Sequence, residues 1–481
     1  MANPAYDLAI IGAGSGGLVA ASFAVRLGAK VVLIEKNRIG GDCTWTGCVP
    51  SKALLKVAKV AHDVRIAERY GIMTAPPVTD MMRVRDYVQA AIREVYKYET
   101  SEELQRLGID VVLGRAHFLD PHTVQAGQSA IRANAFLITT GGHAFLPPIR
   151  GLDQVPFITY EQIFENDRLP VTLTVIGAGP IGMEMAQGYG RLGSKVTVID
   201  QRVLPKDEPE AQDVMRRVFE QEGIQFILDR ANAVRRDGDQ VMVSTASEEV
   251  QGEMLLVAAG RRPTVRGLDL RKAGVNSSEK GIPVDDQLRT NVKHIYAAGD
   301  VIGGYQFTHF AAWQAFQAVR NALLPGHSSG FSSVVPWVTY TDPEVAHAGL
   351  TEAEARKQHG DQITVHVWPM NKVDRAVCEN DLDGFIKVIT GRSGTILGGT
   401  IVAARAGEAI SELVLGIEHR WCLRDVASTI HAYPTYSTGI QQLAAEATVE
   451  SLLSGTQGRI IRGFSKLPRS ASAIARSLWN R

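Results

Sequence analysis

Short apolar runs of strand length alternate with helical stretches through the first two thirds of the chain. Leu8-Ala9-Ile10-Ile11 is a continuous apolar run, a glycine-rich turn follows, and Gly17 to Leu27 continues as a helical run. Lys30 to Glu35 then reads as a second strand, which completes one βαβ unit. The series returns further on: Val171 to Ile176 leads into a second glycine turn, a helix to Leu192 and a strand from Lys195 to Asp200. A duplicated βαβ unit predicts two Rossmann-like α/β domains.

Between the two units lie a helical stretch after Cys48, a polar and charged run from Arg83 to Gln105, and strand-like pieces around Val111, Thr123 and Phe136. Pro147-Pro148 marks a boundary. Beyond the second unit come Val257 to Arg262, a strand ending in Tyr296-Ala297-Ala298-Gly299-Asp300, and a helix from about His309 to Leu324. Leu324 to Gly330 is a linker by composition, and from Ser332 to Ser454 alternating strand signals mix with helices in the manner of an α+β domain. The expected organisation is residues 1–150 and 151–270 as the two dinucleotide-binding domains, 271–330 as a return to the first, 331–454 as the α+β domain, and 455–481 as a tail.

Composition narrows the class of function. At 481 residues the chain is long enough for about three domains of roughly 150 residues each. Lys+Arg and Asp+Glu both total 51, so no overall charge recommends nucleic acid or an anionic bilayer as partner. The chain has no run of 18 apolar residues and its start lacks the pattern of a secretory signal, which points to a cytoplasmic protein. The tail departs from this balance, with six Lys/Arg and no acid between Gly455 and Arg481. Its last apolar residues, Ile474, Leu478 and Trp479, are sparse, so a solvated tail or a packed helix is favoured over a membrane contact.

Gly12, Gly14 and Gly17 form G-x-G-x-x-G between strand and helix, with Glu35 at the end of the next strand. The first glycine permits the tight turn, the second lets a pyrophosphate approach the backbone, and the third lets helix pack on strand. The helix N-terminus supplies partial positive charge and the acid takes a ribose hydroxyl. Gly177, Gly179, Gly182 and Asp200 repeat the pattern, so one chain is expected to hold two dinucleotides. An acid at Asp200 repels a 2′-phosphate and favours NADH, while Arg202 two positions on keeps NADPH as an alternative.

Cys43 and Cys48 stand five apart just after the first unit, in Gly40-Gly41-Asp42-Cys43-Thr44-Trp45-Thr46-Gly47-Cys48-Val49-Pro50-Ser51-Lys52. A disulfide closing so small a loop gains little from loop entropy and suits repeated opening and closing. Two free buried thiols are the alternative that the neighbouring dinucleotide site disfavours, and a zinc site would need further ligands that the neighbourhood lacks, so no metal ligand set is assigned. Cys378 and Cys422 read as ordinary core or surface thiols.

The Gly-Gly-x-Cys-x4-Cys-Val-Pro-Ser-Lys stretch, both glycine fingerprints and Tyr296 to Asp300 resemble the flavoprotein disulfide reductases, the family of dihydrolipoamide dehydrogenase, glutathione reductase and the mercuric reductase core. The likeness continues through Val335-Pro336-Trp337-Val338-Thr339-Tyr340-Thr341-Asp342-Pro343-Glu344, Gly349-Leu350-Thr351-Glu352 and Ala406-Gly407-Glu408, from about residue 5 to 454. It implies an FAD domain, an NAD(P) domain and a C-terminal dimerisation domain. It also implies that Cys48 is the thiol beside the flavin, that Cys43 is the interchange thiol, and that the two form a redox-active disulfide. Asp300 would hold the ribityl chain, Thr308 and His309 would lie beside the isoalloxazine, and Gly41, Ala116, Gly141 and Gly260 would belong to the cofactor sites. Lys52 and Glu184 match a family ion pair next to the flavin; from sequence alone each reads as a solvated charge. The family forms homodimers, in which Tyr433 of one subunit would face the partner subunit's Cys43.

One motif departs from the family pattern. Thiol exchange needs a base, which ordinary relatives supply as the histidine of His-Pro-Thr-x-x-Glu. Here Tyr433-Pro434-Thr435-Tyr436-Ser437-Thr438 places tyrosine at the histidine and threonine at the glutamate. A tyrosine of pKa about 10 is a poor base near neutrality. Mercuric reductases resemble this chain in carrying tyrosine there, since reducing a thiol-bound soft metal leaves no thiol to protonate. They also use a C-terminal vicinal cysteine pair, and this chain ends without one. The leading expectation is therefore an NAD(P)H-dependent FAD oxidoreductase acting on a soft metal ion or an unidentified disulfide. The alternatives are a lipoamide-type dehydrogenase using His431 as base, and a redox-sensing or metal-thiol-binding flavoprotein. His431 itself reads as a capping or surface residue.

Overall fold

A computed structural model describes residues 5–454, so the basic tail 455–481 lies outside the described residues. The chain divides into two compact units. One comprises the chain up to Lys206, Met215–Val335 and Thr339–Thr341; the other comprises Asp207–Val214, Pro336–Val338 and the chain from Asp342 onward.

The first unit contains both βαβ repeats. Ile109–Leu113, Val31–Glu35, Tyr6–Ile11, Ser129–Ile138 and Ile295–Ala297 lie side by side as parallel strands. An antiparallel meander through Thr123–Ala126 and Ala116–Asp120 extends the same sheet. Val31–Glu35 is buried along its whole length, as a parallel strand covered on both faces must be. The second repeat builds a four-stranded parallel sheet in the order Gln225–Ile227, Lys195–Ile199, Thr172–Ile176, Met254–Val257. Both glycine turns sit at the carboxyl end of the first strand of their repeat. Each opens a helix, Ser15–Arg26 and Pro180–Leu192, as the sequence predicts.

Three further elements carry candidate residues in this unit. Gly41–Trp45 is a short helix bearing Cys43, Cys48–Ile66 is a long helix beginning at the second cysteine, and Thr308–Leu323 is the helix expected from His309. In the second unit Glu344–Gly349, Ile396–Ala403, Phe385–Gly391 and Ile363–Pro369 pair antiparallel in that order, and helices Ala406–Glu418 and Thr438–Leu453 accompany them. The fold is thus α/β with two dinucleotide-type repeats and an α+β unit. Among the described residues no helix is long and apolar enough to cross a membrane.

Candidate active site

The three glycines of each fingerprint divide their work by what surrounds them. Gly12 has φ +105°, and a Cβ there would lie 2.5 Å from the Thr139 carbonyl oxygen; a Cβ on Gly17 would lie 1.9 Å from the Gly12 oxygen. Neither position has room for a side chain. The middle residue differs: the nearest atom to a Cβ on Gly14 is the Gly41 Cα at 3.7 Å. The second fingerprint repeats this, with 2.5 Å at Gly177, 1.9 Å at Gly182 and nothing within 4 Å of Gly179. The open middle glycines are the cradles that a Cβ would fill, so both turns fit a dinucleotide pyrophosphate at a helix N-terminus.

The acids at the strand ends brace these turns. Glu35 is buried and accepts the Ala13 and Asn37 amides, each at 2.8 Å. Asp200 accepts the Ala178 amide at 2.8 Å and that of Gln201 at 2.7 Å. Each carboxylate therefore anchors its glycine turn and keeps lone pairs for a ribose hydroxyl.

The cysteine helix comes up against the first fingerprint. Gly41 has φ +59°, and a Cβ there would lie 2.7 Å from the Gly14 Cα, so the backbones of the two motifs touch. Thr44 Oγ1 donates to Glu99 at 2.9 Å and Trp45 Nε1 to the Ile39 carbonyl at 2.7 Å, which fixes the helix from its outer side.

Cys43 and Cys48 are present as thiols within hydrogen-bonding reach of each other. Cys48 Sγ also lies 3.2 Å from Thr308 Oγ1. The Cys48 pKa is lowered to about 6. The hydrogen bond with Cys43 is the chief cause and burial opposes it, while the Thr308 hydroxyl and the Lys52 charge lower it further and Glu184 raises it. Cys43 is pushed the other way, first by its bond to Cys48 and then by burial. The pair is thus polarised, with the negative charge on Cys48, at the first turn of helix Cys48–Ile66, where the helix dipole favours an anion.

Lys52 and Glu184, 132 residues apart, form an ion pair at 3.0 Å that joins the cysteine helix to the helix of the second fingerprint. Glu184 is buried and Lys52 half covered, which corrects the reading of both as solvated charges. Among the other predicted positions, Gly141 and Gly260 have positive φ and open space where a Cβ would be. The Ala116 methyl lies in the hydrophobic core, which leaves its backbone for any cofactor contact. His309 is exposed beside Thr308, its ring stacked on Phe307 at 5.5 Å.

Asp300 brings in residues that the sequence did not single out. Its carboxylate lies 2.9 Å from the Arg261 guanidinium, which also binds Asp42 at 2.7 Å and sits 4.8 Å from the Tyr160 ring centroid. Burial raises the Asp300 pKa and Arg261 restrains the rise. Arg261 therefore ties the residue preceding Cys43 to the position expected at the ribityl chain.

Tyr433 belongs to the other unit. Its hydroxyl donates to Asp374 Oδ2 at 2.7 Å, and this bond raises its pKa further above that of an ordinary phenol. His431 is neither a cap nor a solvated surface residue. Nε2 faces Glu412 Oε1 at 2.7 Å and Nδ1 faces the Thr429 carbonyl at 3.0 Å, so both ring nitrogens point at acceptors. The ring is thus held within this unit by a carboxylate and a backbone carbonyl. Glu412, 19 residues upstream, carries no local signal of this pairing.

A family model described as pyridine nucleotide-disulphide oxidoreductase matches residues 6–315, and the dimerisation domain of that family matches residues 335–444. The chain belongs to this family. It is 35% identical over 465 residues to dihydrolipoyl dehydrogenase of Haloferax volcanii, covering 93% of this chain and 97% of that protein. It is 33% identical to mercuric reductase of Bacillus cereus, covering 91% and 71%. Among solved structures, a Cu(II) complex of the HOCl-induced flavoprotein disulfide reductase RclA from Escherichia coli matches with a TM-score of 0.83 and 26% identity, over 91% of this chain and 99% of that one. The protein is thus a flavoprotein oxidoreductase that uses FAD and a pyridine nucleotide, as this family does, and it carries the family's dimerisation domain.

Proposed function

We propose that this oxidoreductase passes electrons from NADH through FAD to the Cys43–Cys48 pair and on to a soft metal ion such as mercuric ion. The first fingerprint (1–150, with the return at 271–330) holds FAD, the second (151–270) holds the nicotinamide nucleotide, and 331–454 pairs two subunits so that Tyr433 faces the partner subunit's Cys43. Bound FAD supplies the two-electron carrier between nicotinamide and sulfur. Gly14 and Gly179 admit the two pyrophosphates, Glu35 and Asp200 take ribose hydroxyls, and Asp300 orients the ribityl chain. Asp200 favours NADH by repelling a 2′-phosphate. Cys48 keeps its charge toward the flavin, and Cys43 holds a proton until it meets the acceptor.

The observation that carries the choice of acceptor is the state of the expected base. Tyr433, at the position of the family's histidine, is bound to Asp374 and made less acidic by it. A dithiol substrate must shed protons and a disulfide product must regain them, which a phenol raised above its ordinary pKa serves poorly. Mercuric ion takes two electrons and requires no leaving thiol to be reprotonated. In steady-state assays mercuric ion is expected to turn over at least about 100-fold faster than dihydrolipoamide or oxidised glutathione, the order of magnitude a positioned base contributes. Cupric ion belongs in the same panel because the RclA structure is a Cu(II) complex. Dihydrolipoamide turnover equal to that of mercuric ion overturns the reading.

A further inference from the structure

We propose that Tyr340 is a positioning residue, whose ring holds the Lys52 ammonium in place beside Cys48. The inference rests on the reading of Cys48 as the sulfur next to the flavin, and it gives a role to a motif, Val335 to Glu344, that the proposed relay leaves unused.

Tyr340 touches both halves of the Lys52–Glu184 pair with different groups. Its backbone N–H donates to Glu184 Oε1 at 3.0 Å, and its ring centroid lies 4.2 Å from Lys52 Nζ. That distance is well inside the roughly 6 Å reach of a cation–π contact. Lys52 Nζ donates to both Glu184 oxygens, at 3.0 and 3.2 Å, so the ammonium is held between a carboxylate and an aromatic face. Its side chain is 36% exposed, and the Glu184 carboxylate and the Tyr340 ring both hold its charged end.

The position of that ammonium bears on Cys48. Lys52 lies four residues after Cys48 on helix Cys48–Ile66, one turn along the same face. The groups acting on the thiol are Cys43, Lys52, Glu184 and the Thr308 hydroxyl, and the two charges of the ion pair pull in opposite directions. The ring biases that contest because it attracts the cation without accepting its proton, whereas the Glu184 carboxylate is pinned by the Tyr340 amide in any side-chain variant.

Tyr340→Leu removes the ring and keeps the amide. In the holoenzyme reduced by two electrons and held at pH 6, its thiolate-to-flavin absorbance band is expected to fall about two- to threefold, the consequence of losing one partly exposed cation–π contact. Tyr340→Phe keeps the band, and Tyr340→Leu changes nothing further in a Lys52→Met background. Fluorinated phenylalanines at position 340, which drain π charge at nearly constant shape, give a graded loss and serve where leucine impairs folding. A wild-type-strength band in Tyr340→Leu or across the fluorinated series, or a loss that persists in Lys52→Met, overturns the role of Tyr340. A wild-type protein with no band overturns the reading of Cys48 itself, and this inference with it.

Discussion

Cys48→Ser is expected to abolish the thiolate-to-flavin band of the reduced protein and to lower NADH-driven reduction of mercuric ion by on the order of a thousandfold, as expected when one member of an interdependent set is lost. Cys43→Ser behaves differently: it keeps a band, because the thiolate beside the flavin survives, and loses turnover. The asymmetry follows from the polarisation of the pair, with Cys48 held toward about 6 and Cys43 pushed upward. The sign of the pH dependence is fixed by the same observation. The thiolate is the absorbing form, so the wild-type band is present above about 6 and fades as the pH falls through that value. An absorbance titration of the anaerobically reduced protein reads this directly, and a midpoint near the ordinary thiol value of about 8.5 contradicts it.

The second large effect separates two glycines three residues apart. Gly17→Ala forces a carbon to within 1.9 Å of the Gly12 carbonyl oxygen, a contact with backbone that no side-chain rotation relieves. Overpacking of this severity is expected to cost about 3 kcal/mol or more, visible in urea unfolding together with loss of yellow colour. Gly14→Ala adds its methyl into space whose nearest atom is 3.7 Å away, on a backbone of φ −81° that alanine adopts freely. It is expected to fold with wild-type stability and to release FAD at least about tenfold more readily, since the methyl stands where the pyrophosphate approaches. Equal unfolding midpoints for the two variants, or full flavin retention by Gly14→Ala, contradict this division of labour.

The elements were legible because their signals are local. An apolar run, a glycine turn and a small-residue helix lie within thirty residues of one another in each repeat, and the structure places the helices within two or three residues of the expected bounds. The site was legible only where its residues fall in one such stretch. Cys43, Cys48 and the glycines declare themselves by spacing, whereas Lys52 and Glu184 lie 132 residues apart and only family likeness suggested their pairing. Arg261 was missed because an arginine beside a glycine gives no sign that it will bridge Asp42, 219 residues away, and Asp300. His431 was misread as a cap or surface residue because it lies in a loop and Glu412 on helix Ala406–Glu418, and sequence spacing cannot reveal a pairing made by tertiary packing.

The central claim is that nucleotide, flavin and sulfur form one electron relay, and anaerobic titration of the purified protein with NADH tests it most directly. The account predicts uptake of about four electrons per FAD, two by the ring and two by the sulfur pair, with the long-wavelength band rising at the halfway point. Full reduction after two electrons, with no band at any stage, would contradict it.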